Sequence, residues 1–118
     1  MHEFKGENPN RKVYKKLVRD KIPEIIEADD HMAETRILEQ EEYKQALLIK
    51  LLEEVNEVQG AKDKEERMKE IGDVLEVLEA IMKANDITQE EVDEIKQKRK
   101  KTRGGFEKRI FLEHTEPI

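Results

Sequence analysis

Apolar residues recur every three or four positions over two stretches separated by one short break, and this pattern fixes most of what the chain can become. In residues 41–59 the recurring positions are Tyr43, Leu47, Leu51, Leu52, Val55 and Val58. In residues 63–83 they are Ile71, Val74, Leu75, Val77, Leu78 and Ile81. At about 100° per residue each set covers one arc of a helix. Gly60 is the expected stop of the first helix, and Asp63 with Glu66 three residues later is a variant of the capping box that opens the second. Two long helices joined by so short a turn pack antiparallel.

The same signature at Thr88 and Glu91, with Ile87 and Val92 spaced as a hydrophobic staple, starts a further helix running to about Lys101. Its acidic start and basic end match the helix dipole. Upstream, Pro23 suits the first turn of a short helix through Ile25, Ile26 and Ala28. "AETRIL" (33–38) reads as an extended connector. "RGGF" (103–106) ends the last helix, and "KRIFLEHTEPI" reads as an extended tail. The first twelve residues hold Gly, Pro and Asn without periodicity and read as a flexible arm, leaving 13–118 as a single helical domain. The fold class expected is all-α, a helical bundle.

Of the 118 residues 36% are hydrophobic and only five are aromatic, enough for a thin core. A homo-oligomer, dimer or tetramer, is therefore expected to complete it. The net charge of −6 argues against nucleic acid as a partner, and the absence of cysteine removes disulfides, thiolate chemistry and cysteine-ligated zinc. No apolar run is long enough for a membrane span, so a soluble cytoplasmic protein is the expectation.

"LLEEVNEVQG" (51–60) sets carboxylates among core positions, and a desolvated carboxylate needs a partner or a metal. Spacing alone says little. The acid-x-x-acid interval also occurs at Glu24/Glu27, Glu39/Glu42, Glu76/Glu79, Glu91/Glu94 and Glu113/Glu116, and with 22 glutamates most such pairs are solvated faces. The helical wheel separates them. Glu54 falls inside the first arc with Lys50 and Glu57 at its edge; Glu70 falls inside the second with Asp73 at its margin. Glu76 and Glu79 lie outside. Glu57 pairs with Glu70, and Glu54 with Asp73, symmetrically about the junction of Asp63 and Lys64, so an antiparallel hairpin gathers all four. Four converging carboxylates repel one another. Oxygen ligation of Mg²⁺, or of Mn²⁺ in its place, relieves this, and the competing reading is a set of Lys and Arg ion pairs with Lys50 the nearest cation.

"KLLEEVNEVQ" followed by "KEIGDVLEVLEAI" resembles the paired E-E-x-x-E and E-x-x-D motifs of the MazG-like all-α nucleoside triphosphate pyrophosphohydrolases. "YKKLVRDKIPEII" and "RGGFEKRIFLE" are similar to flanking segments of a small MazG-related branch, so the resemblance spans roughly residues 13–113. It implies a helical dimer or tetramer that uses Mg²⁺ to split a nucleoside triphosphate into monophosphate and pyrophosphate, in the clearance of non-standard or surplus nucleotides. Matched to the motif, Glu54, Glu57, Glu70 and Asp73 become metal ligands, and Glu53 takes the accessory acidic position as base or second-metal ligand. A helical module that binds nucleotide without turnover, and a pyrophosphohydrolase of a phosphoribosylated nucleotide, are the alternatives.

A phosphate substrate also needs cations. Lys50 lies one turn before Glu54 and is placed either to reach a phosphate or to pair with Glu54. In "KQKRKKTR" (96–103) the member singled out is Arg103, beside Gly104 and Gly105; the resemblance adds Arg99, one turn before "RGGF". Arg19, Asp20 and Lys21 lie in a segment that either contacts substrate or pairs between subunits. Phe106 is placed to stack on a base, although Phe106, Ile110, Phe111 and Leu112 read more naturally as packing residues. His2, His31 and His114 have no spaced partner, which argues against a histidine metal site or a nucleophilic triad.

Overall fold

The computed structural model describes residues 9–118, so most of the expected N-terminal arm, with His2, lies outside the described residues. The described chain is helical: α1 (Ile22–Ala28), α2 (Gln40–Gly60), α3 (Lys64–Ala84) and α4 (Gln89–Arg103), with no strand. No helix among the described residues is long and apolar enough to cross a membrane.

Local chemistry explains the helix ends. Pro23 sits in the first turn of α1, where its missing N–H has no partner to lose. Asp63 caps α3, its Oδ1 accepting from the Glu66 N–H at 2.8 Å. Thr88 and Glu91 form a complete capping box on α4. α3 ends at Ala84 with Asn85 as its C-cap, and Asp86, with φ of 56°, then turns the chain left-handed so that Ile87 N–H reaches Met82 O at 2.9 Å. α4 stops at Gly104, with φ of 84°.

α2 ends differently from the expectation. Gly60 is still helical, and the chain leaves the helix at Ala61, in extended conformation. Arg67 from the first turn of α3 binds the carbonyls there: Nη2 donates to Ala61 O at 2.8 Å, and Nε to Val58 O at 3.3 Å, which also accepts from the Ala61 N–H. One guanidinium therefore closes the hairpin. Arg67→Ala is expected to cost about 1 kcal/mol in thermal or urea unfolding, the worth of such a bond net of water. Arg67→Lys should recover only part, because an ammonium lacks the planar fork that spans two carbonyls.

Among the described residues α2 and α3 form the one extensively packed helix pair, and Leu47, Val77 and Ala61 of the intervening turn are the buried apolar residues. Each predicted arc is only partly covered. Leu51, Val58, Val74 and Ile81 are half-buried, whereas Leu52, Val55, Ile71 and Leu75 are between 46% and 66% exposed. The connector after α1 is held to α2 by Arg36, whose guanidinium is bidentate on Glu42 at 2.6 and 3.1 Å. The chain is 74 Å long, against about 31 Å for a 21-residue helix, so much of it lies beyond the hairpin.

That excess includes α4, whose residues from Glu94 onward are exposed. With little packing to hold it, α4 depends on its own cap. Thr88→Ala, an N-cap loss of about 1 kcal/mol, should speed amide exchange at residues 92–95 by roughly fivefold and leave the hairpin transition unmoved.

Candidate functional site

The α2–α3 register brings Glu54, Glu70 and Asp73 together. One carboxylate oxygen of each lies within 4.8 Å of the other two, and no other group of three His, Asp or Glu among the described residues is gathered so tightly. The reason is local. Glu70 and Asp73 are three residues apart on one face of α3, and Glu54 projects from the facing side of α2. All three are half-buried, and the Glu54 side chain is only 13% exposed.

Partial burial and crowding show in Glu70. Its carboxyl titrates above the ordinary glutamate range, first through desolvation and then through the negative charges of Asp73, Glu57, Glu54 and Glu66. Glu57 is thus close enough to be felt by Glu70, but it is exposed and its carboxylate stands outside the trio.

Two cations answer the cluster. Lys50, with a side chain 17% exposed, sets Nζ 3.4 Å from Glu53 Oε1 and 3.6 Å from Glu54 Oε1. The ion pair foreseen with Glu54 is present and shared with Glu53, so the two acids of the pair divide the work. Glu54 faces its fellow carboxylates, and Glu53 is held back on the lysine. Arg19, in the segment before α1, donates from Nη2 to Asp73 Oδ1 at 2.7 Å across 54 positions. The sequence marks "LVRDKIP" only as a charged segment. Its half-buried Leu17 and Val18 are the signal that it returns to the hairpin.

Arg99 and Arg103 are exposed on α4, and among the described residues neither forms an ion pair with the cluster. Phe106 is 95% exposed. His31 and His114 pair with Asp29 and Glu116, away from the cluster.

Comparison with protein-family models, curated proteins and solved structures finds no match to the chain.

Proposed function

We propose that the chain is a Mg²⁺-dependent nucleoside triphosphate pyrophosphohydrolase, active as a homo-oligomer, with Glu54, Glu57, Glu70 and Asp73 as the metal ligands. The observation that supports this most is the trio of carboxylate oxygens within 4.8 Å on two adjacent helices. The donor set suits a hard cation. Oxygens bound to one octahedral Mg²⁺ at 2.0–2.1 Å stand roughly 2.9–4.2 Å apart, so a small contraction of the trio would hold the ion. The raised Glu70 carboxyl is consistent with a site short of positive charge. Mn²⁺, with the same preference for oxygen, is the expected substitute.

Such an ion would supply charge neutralisation to the triphosphate and acidify a bound water at neutral pH. The chain's own residues then have separate tasks. Asp73 is oriented by Arg19, as an outer hydrogen bond orients a metal-ligating carboxylate. Lys50, beside Glu54, would be released to meet a phosphate oxygen once a bound cation neutralises part of the cluster. Glu53, which accepts a hydrogen bond from Lys50, would serve as a proton acceptor next to the ligands. Arg99 and Arg103 would add phosphate contacts only if α4 is brought to a hairpin.

The test is pyrophosphate release over a panel of nucleoside triphosphates, with Mg²⁺ and with a chelator. Release that requires the ion is the expected result. Nucleotide binding without release would favour a non-catalytic module, and release confined to a phosphoribosylated nucleotide would favour that narrower enzyme. No binding and no release would overturn the proposal.

A further inference from the structure

Two surfaces left without a partner among the described residues have complementary chemistry. The first is a groove of about 440 Å³ between α2 and α3, lined by Val55, Val58, Gln59, Ile71, Val74 and Leu75. Val58 follows Glu54 and Val74 follows Glu70 by one helical turn, in opposite directions along the antiparallel pair, so the groove runs alongside the trio. The second is the segment after α4. There Phe106, Ile110, Phe111 and Leu112 are 72–95% exposed. The segment has a defined form: Arg109, with φ of 58°, closes a turn in which its N–H donates to Phe106 O at 3.1 Å, and residues 110–112 continue without helix.

The charges match as the apolar groups do. Helices α2 and α3 with their turn carry twelve carboxylates against seven Lys or Arg, whereas residues 96–109 carry eight Lys or Arg against one glutamate. The chain's own segment is led away from its own groove. The groove lies between the turn and the middle of the hairpin, and α4 starts from the opposite end, at the far end of α3. α4 does not fold back along the hairpin: residues 94–103 are exposed, and the molecule is 74 Å long.

We infer that the apolar groove of one copy is filled by residues 106–112 of a second copy. Phe106, Ile110 and Phe111 enter between α2 and α3, and Arg103, Lys108 and Arg109 lie towards the carboxylates of Glu54, Glu70 and Asp73. Exchange about a two-fold axis fills both grooves at once. Each pair of phenylalanines removes about 300–500 Å² from water. Two arms with the grooves they cover thus approach the roughly 1,600 Å² of a standard stable interface. The inference extends the proposed function by making the site composite: the cations that complete the phosphate-binding face come from the partner.

The absence of cysteine makes the test direct. Leu75→Cys and Phe111→Cys chains of different mass are mixed and treated with a short thiol cross-linker. A heterodimeric product at least tenfold above that from Ile37→Cys mixed with Phe111→Cys is expected. A product no greater than this control overturns the inference, and so does cross-linking within single chains carrying both substitutions. Independently, the Ile110→Ser, Phe111→Ser double variant should weaken self-association in sedimentation by at least tenfold with helix content unchanged. Unchanged association, or a parent protein that sediments as a monomer at micromolar concentration, also overturns it. Neither readout needs metal or nucleotide, so the result stands apart from pyrophosphate release.

Discussion

Glu54→Gln, Glu70→Gln and Asp73→Asn are each expected to lower Mg²⁺-dependent pyrophosphate release by about a hundredfold or more. Even residues that only orient a metal ligand are worth ~10–100-fold, and these three would be the ligands themselves. Each replacement keeps the size and hydrogen-bonding reach of the side chain and removes the charge. Helix content should not change, because none of the three anchors the packing of Leu47, Ala61 and Val77. Glu57→Gln examines the fourth position, where a loss of similar size requires an exposed side chain to swing in. Glu76→Gln and Glu79→Gln provide the control. They repeat the same interval on α3, yet both are exposed and stand outside the trio, so activity should stay within about twofold. If the outward pair proves as damaging as the inward trio, the metal centre is misplaced.

The second large effect is on stability. Saturating Mg²⁺ or Mn²⁺ should raise the melting temperature of the parent by about 10 °C, since a ligand at a hundred times its Kd contributes about 2.7 kcal/mol to the native state. The gain should vanish in Glu54→Gln combined with Glu70→Gln. The pH dependence has a definite sign. The Glu70 carboxyl titrates higher in the folded chain than in the unfolded one, so folding favours its protonated form. Its contribution to stability is fully present below the ordinary glutamate range and is lost as pH rises through the elevated folded value. Without metal, Glu70→Gln should therefore melt above the parent at pH 7, and the two curves should converge as pH falls below about 4. A variant less stable than the parent at pH 7, with no response of the parent to either ion, would assign the trio to ion pairing with Lys50 and Arg19.

Much of this hairpin is legible in the sequence because the signals are local. Asp63 with Glu66, and Thr88 with Glu91, start α3 and α4 where the caps are found. The inward placement of Glu54 and Glu70 follows from periodicity alone, since a residue inside an apolar arc faces whatever that arc faces. What the sequence hides is set by neighbours distant along the chain. The end of α2 depends on Arg67, nine residues past one of the carbonyls it takes, and one arginine among 23 basic residues carries no mark of that duty. Arg19 is hidden for the same reason. The wheel sets Glu57 at the edge of its arc, and which side of that edge it falls on depends on how far the partner helix reaches, which a wheel drawn for each helix separately does not contain. The exposure of Leu52 and Leu75 is likewise invisible to periodicity, which shows that a face is apolar but not what covers it.

The link from Arg19 to Asp73 also bears on the order in which the cluster is built. α2 and α3 meet through the short turn from Ala61 to Asp63, whereas Arg19 must return across 54 positions. The entropy lost on closing a loop grows with its length, so the hairpin is expected to close first and the arginine to dock afterwards. On that order the carboxylates come together before their long-range counter-ion arrives. During that interval Lys50, only three or four residues from its acids on the same helix, is the cation already at hand.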